Sequence, residues 1–200
     1  MGQYYKPVLL TKNNQPIKTF NAHDFGSGLK LMEHSWRLNS FVRFVEKYLV
    51  HKPTKIVWAG DYADNEKDMD KNLYELAEDD NYLINHPLGE SVSQYDYTKF
   101  NKAIKPHIVQ LRFKYLVNHD KKEFVNKDKA PNNDGWQIHA LPLLTCEGND
   151  RGGGDYRPAS DGTKGNVGLI GAWARDTIEV VSCKRDIPKD YTEIIFDLSE

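Results

Sequence analysis

The chain has 200 residues, of which 39% are hydrophobic and 28% charged, and a formal net charge of −2 at pH 7. That length suffices for one sizeable core, and the composition excludes a disordered or fibrous chain. The near-neutral balance argues against a general nucleic-acid or membrane-surface binder. No apolar run approaches the ~18–20 residues of a bilayer span. The opening MGQYYKPVLL lacks the basic-then-apolar pattern of a signal peptide. A cytoplasmic location is expected, with Cys146 and Cys183 as buried free thiols and no CxxC pair.

In chain order, YYKPVLLTK and PIKTFNA predict two strands of a hairpin, with Asn13 and Asn14 in its turn. HDFGSG reads as a loop. Residues 29–50 form the clearest helix: Leu31, Leu38, Phe41, Val42, Val45, Tyr48 and Leu49 recur at helical spacing, Ser27 suits the cap and Pro53 the end. TKIVWAG predicts a strand ending at residue 60. NLYELAEDD suits a short helix, and about 65–110 reads as an irregular or helical insertion in a single domain spanning 1–200. LRFKYLVNHDKKEFVNK predicts a second hairpin turning at Asn118–Asp120. GWQIHALPLLTCEG begins as a strand, 148–168 is a glycine-rich loop, and GAWARDTIEVVSC and TEIIFDLS predict two closing strands. The expected fold class is α+β: a mostly antiparallel sheet with one main helix packed on a face.

Chemistry concentrates at few places. A carboxylate pair just after a strand is a common way to hold a divalent cation, and WAGDYAD places Asp61 and Asp64 there, after a glycine that permits a sharp turn. Asp in a turn also bonds its own backbone without any metal. Imidazoles arriving from elsewhere would complete a mixed nitrogen–oxygen site of the kind zinc favours. The candidates are His34 on the edge of the helical stripe, His139 in its inferred strand and His119 at the hairpin tip, with Asp155 as a further carboxylate. His23 and Asp24 are a second adjacent pair. Each of these histidines also has a plain reading, as a hydrogen-bonded core or turn residue.

Arg151, Gly152, Gly153 and Gly154 form an anion-binding candidate, because consecutive glycines let backbone N–H groups turn inward as a nest. The plain reading is a wide turn. Neither a P-loop nor a dinucleotide fingerprint is present. Charge is segregated. Nine acidic residues fall between Asp61 and Asp80, and nine basic ones between Lys99 and Lys129. The carboxylates Glu66, Asp68, Asp70, Glu75, Glu78, Asp79 and Asp80 therefore form a partner-binding candidate, able to meet a basic channel as a phosphate backbone does.

Two resemblances attach to these strings. Gly60-Asp61-Tyr62-Ala63-Asp64 resembles the GDxxD part of the metallophosphoesterase signature. Gly148-Asn149 matches only the start of the next motif, since Asp150 stands at its histidine position. The leading Asp-x-His is absent, and no histidine follows His139. This resemblance implies a metal-dependent phosphoesterase with Asp61 and Asp64 as ligands but several ligands missing. Separately, GQYYKPV, LMEHSW, WAGDYAD, YLVNHDKKEFV and GNDRGGGDY resemble strings shared by a family of small uncharacterised proteins from bacteria and their phages. That resemblance implies no activity. Its phage context implies a protein that binds and blocks a host macromolecule, for example an anti-CRISPR protein acting on an effector nuclease. The leading expectation is thus a non-catalytic binder stabilised by a metal, with a metal-dependent hydrolase as the alternative.

Overall fold

The computed structural model describes residues 3–78, 113–133, 135–147 and 167–197. Strands β1 (Tyr5–Leu10) and β2 (Pro16–Thr19) form the first hairpin, with Asn14 in the left-handed region (φ 61°) that Asn tolerates in a tight turn. β3 (Thr54–Gly60) pairs antiparallel with β1 from Tyr5↔Gly60 to Leu10↔Lys55. The second hairpin joins β4 (Tyr115–Asn118) and β5 (Glu123–Asn126). A short pair, β6 (Asn132–Asn133) and β7 (Trp136–Gln137), stands apart as its own sheet. β8 (Cys146–Glu147), β9 (Thr177–Val181) and β10 (Thr192–Glu193) complete the set.

The main sheet runs β10-β5-β4-β9-β3-β1-β2, mostly antiparallel. β10 joins β5 in parallel. β3 divides its outer edge: Thr54 and Lys55 pair with β9, while Trp58 and Ala59 pair in parallel with β8. This is the expected α+β arrangement.

Alternation along β3 separates two layers. Ile56 and Trp58 join the larger core, with Phe41, Val42, Phe44 and Val45 of helix α2 (Ser40–Lys47) and Leu49 just after it. Val57 and Ala59 face the opposite side, where Leu73, Tyr74 and Ala77 of helix α3 (Leu73–Leu76) and its cap cover them. The α2 side chains are essentially fully buried. At about 1.5–3 kcal/mol each, their burial contributes on the order of 10 kcal/mol before entropy.

The helix expected over 29–50 is two helices, α1 (Leu31–His34) and α2, and Leu38 is not in its stripe. Tertiary pairing overrides the local period here. Trp36 bridges Ile138 antiparallel, Arg37 N–H donates to the Gln137 carbonyl, and His139 N–H donates to the Ser35 carbonyl. Asn39 then restarts the helix, its side-chain oxygen accepting from Phe41 and Val42 N–H. Residues 136–147, expected to begin as a strand, give only the two residues of β7. Helix α4 (Ala140–Leu144) follows, with His139 at its N-cap rather than in a strand. Among the described residues no helix is long and apolar enough to cross a membrane.

Candidate functional site

The GDYAD turn is built from its strand outward. Gly60 has no left-handed backbone; it is glycine because a Cβ there would meet the Glu147 carbonyl at 2.5 Å and Gln3 at 2.4 Å. Close approach of β8, rather than a sharp turn, excludes a side chain. Asp61 links reciprocally to Tyr4: its Oδ1 accepts from Tyr4 N–H at 3.0 Å, and its own N–H donates to the Tyr4 carbonyl. Burial raises the Asp61 pKa, opposed by the Tyr4 N–H and helped by the nearby Glu78 charge. Asn72 caps α3 and donates to the carbonyls of Asp61 and Ala63, fixing the turn to that helix. Asp64 is exposed and lines a separate cavity of about 580 Å³.

The three histidines proposed to join these carboxylates lie in three different environments. His34 is fully buried. Its Nδ1–H donates to the Gly28 carbonyl at 2.9 Å, and its Nε2 accepts from the Trp58 indole N–H at 3.0 Å. Both ring nitrogens are thereby used by the neutral tautomer, and burial pushes its pKa down to about 4. His139 is buried at the start of α4, where Nδ1 accepts from Leu141 N–H at 3.2 Å. His119 follows β4, with Nε2 at 2.8 Å from Glu179 and Nδ1 at 3.0 Å from the Tyr191 hydroxyl. Among the described residues no group of three or more His, Cys, Asp or Glu side chains is arranged to hold a metal ion. Asp155 and the nest candidate Arg151, Gly152, Gly153 and Gly154 lie outside the described residues.

The acidic face is partly spent inside the chain. Glu66 grips Arg175 with both oxygens, at 2.9 and 2.5 Å, while Glu147 accepts from the same guanidinium at 2.8 Å. These contacts raise the Arg175 pKa further, and its backbone lies in the left-handed region at φ 65°. Glu75 completes the capping box of α3. Glu78 pairs with Lys6 at 2.8 Å, and the Lys6 ammonium sits 4.1 Å from the Tyr74 ring centre. Asp68 and Asp70 are exposed; Asp79 and Asp80 lie outside the described residues.

Two features escaped the sequence reading. The first is a buried ionic cluster. Lys127 Nζ lies 2.5 Å from Glu46 Oε1, and His139 Nε2 lies 3.2 Å from the same oxygen, outside hydrogen-bond alignment. Burial alone would raise the Glu46 pKa; Lys127 and His139 outweigh it and hold the carboxyl down to about 2. The available signal was Glu46 itself, which shares the helix face of Val42 and Leu49.

The second is a groove of about 600 Å³ beside that cluster, lined by Trp36, Arg37, Leu38, Asp128, Asn132, Gly135, Trp136 and Gln137. Trp36 and Trp136 stand 5.7 Å apart at 58°, and Trp136 and Leu38 are 62% and 57% exposed. The rim is rigid. Gln137 Nε2 reaches the carbonyls of Lys127, Asp128 and Ala130, and Arg37 bonds Lys127 O, Gln137 Oε1 and Asp128. Asp128 also pairs with Lys114 at 3.2 Å. The sequence carried one hint, a Trp directly after an Asn-Asp-Gly turn signal, but an aromatic in a short strand reads as core by default.

No protein-family model matches this chain, and neither a curated protein nor a solved structure matches it.

Proposed function

We propose that this protein acts by binding another protein, and that the groove between Trp36 and Trp136 takes an apolar side chain of that partner. One observation carries the reading: two tryptophans and Leu38 stand partly in solvent on a base that is hydrogen-bonded beneath them. Exposed Trp beside Arg has the composition of an interface hot spot, and a preordered pocket reduces the entropy cost of binding. The rim chemistry selects among ligands. Arg37 and Lys114 offset Asp128, which disfavours a cationic guest for the aromatic pair. Gln137 donates both amide hydrogens to backbone carbonyls, which leaves little for recognising the hydroxyls of a sugar.

The acidic run 66–80 fits this role less well, because Glu66, Glu75 and Glu78 already have partners within the chain. A host protein remains the proposed class of partner, met through apolar contact rather than charge. A photoreactive residue in place of Leu38 tests this. It should cross-link to one cellular protein, the adduct should vanish with Trp136→Ala, and it should persist with Asp68→Asn and Asp70→Asn. Against the purified partner, Trp136→Ala should weaken affinity by about 2 kcal/mol or more, roughly 30-fold. An adduct indifferent to Trp136 removes the groove from the interface.

A further inference from the structure

The geometry points to a nucleophilic tyrosine: we propose that Tyr191, with His119 as its base and Glu179 orienting that base, attacks small acyl donors. The site is independent of the tryptophan groove. It draws on three strands of the main sheet. Glu179 lies in β9 opposite Val117, so His119, two residues further along, shares its face. Tyr191 immediately precedes β10 and reaches across from the far side of β5.

For the neutral imidazole the hydrogen-bond chain has one consistent direction. A carboxylate only accepts, so the proton on His119 lies on Nε2, 2.8 Å from Glu179 Oε2. Nδ1 then carries the lone pair, and the Tyr191 hydroxyl at 3.0 Å donates to it. A nucleophile within hydrogen-bond reach of a base, itself held by a third group, is the arrangement that activates a weak nucleophile. Burial does not explain it. His34 and His139 are inside the core; His119 and Glu179 keep 26% and 16% of their side-chain surface in solvent. Beneath the triad, Val117, Phe124, Val181 and Ile187 form a buried apolar cluster against which the Tyr191 ring packs, which fixes the hydroxyl toward His119.

The probe is p-nitrophenyl acetate with the full chain. The Tyr191 oxygen forms a bond to the carbonyl carbon, and its proton passes to His119 Nδ1. p-Nitrophenolate leaves with the electron pair of the broken ester bond, and His119 returns the proton to water. Peptide mapping should find Tyr191 acetylated at least about tenfold faster than the exposed Tyr4. Tyr191→Phe, which keeps the ring against His119, should abolish the fast phase, and His119→Gln should slow it about tenfold or more at an unchanged melting temperature. Glu179 is a positioning residue. Its Gln variant should slow acylation several-fold, by about 3- to 10-fold, and convert the imidazole ¹⁵N spectrum of His119 from the Nε2–H tautomer to a mixture. Acetylation of Tyr191 at the pace of Tyr4, a rate indifferent to His119→Gln, or acetyl found on His119 or Lys184 instead would each overturn the proposal.

Discussion

Two buried polar sites in this molecule answer the same physical problem in opposite ways. At the α1–β3 contact, His34 stays neutral, and one donor and one acceptor satisfy its ring. At the α2–α4 contact, Glu46 stays ionised, with Lys127 and the His139 ring gathered on one oxygen. The neutral site costs little beyond its geometry. The ionic site depends on every partner being present, because a charge left alone in the core has nowhere to go. It also underlies the tryptophan groove, since the Lys127 carbonyl accepts from both Arg37 and Gln137.

Removing one charge gives the largest expected effect. Lys127→Met keeps the stem and strands Glu46, which should lower the unfolding free energy by about 3–5 kcal/mol in urea titrations. Adding Glu46→Met should recover most of that loss, because a buried pair replaced by apolar groups of similar size is often neutral. A double variant no better than the single one would mean that the cluster holds the fold through more than charge balance.

Acid separates His34 from Glu46 by pH window. The His34 pKa is depressed in the fold, so the unfolded chain binds the proton first as pH falls. Stability from this site is complete above the unfolded value near 6.5 and drains away down to about pH 4, a loss of about 3 kcal/mol. The Glu46 pKa is also depressed, but for a carboxyl the stability present above its unfolded value near 4.5 is lost only as pH falls toward 2. Unfolding free energy followed from pH 7 to 3 should therefore fall first through the histidine window. His34→Gln should reduce the fall in that upper segment and leave the lower one; the rest of the upper fall belongs to His139, whose pKa burial also lowers. At the same site Trp58→Phe removes the donor to His34 Nε2 and should cost about 1–3 kcal/mol. A single acid transition confined below pH 4 would assign the sensitivity to carboxylates alone.

What was legible follows the range of the interactions involved. β1, β2, β3 and the β4–β5 hairpin were readable because short runs of β-branched and aromatic residues and Asn-bearing turns act within a few residues. The helix over 29–50 was half right: the apolar spacing of 41–49 is local, but the break at 35–39 is imposed by residues 137–139, about a hundred positions away. The same distance hid the ionic cluster, whose partners come from positions 46, 127 and 139. Leu38 and Trp136 resemble core residues in composition and are exposed only because that break and the short β6–β7 pair turn them outward. His34 was readable as a polar residue on an apolar stripe, yet its partner Trp58 could not be named without the fold.

The smallest expected effect falls on the GDYAD turn. Asp61 accepts a neutral backbone N–H and carries a pKa raised by burial. Asparagine supplies the same acceptor without the charge, so Asp61→Asn should change stability by no more than about 0.5 kcal/mol, whereas Asp61→Ala should lose about 1 kcal/mol with the Tyr4 bond. Asp64→Asn, at an exposed position, should be as quiet as Asp61→Asn. Thermal melts with and without added zinc decide what the carboxylates are for. If these acids serve only to finish β3 and tie it to the N-terminal strand, zinc shifts wild type and both Asn variants alike. A zinc-dependent rise in Tm seen in wild type and lost in both would instead assign the turn to a cation, and the reciprocal bond to Tyr4 would be its scaffold.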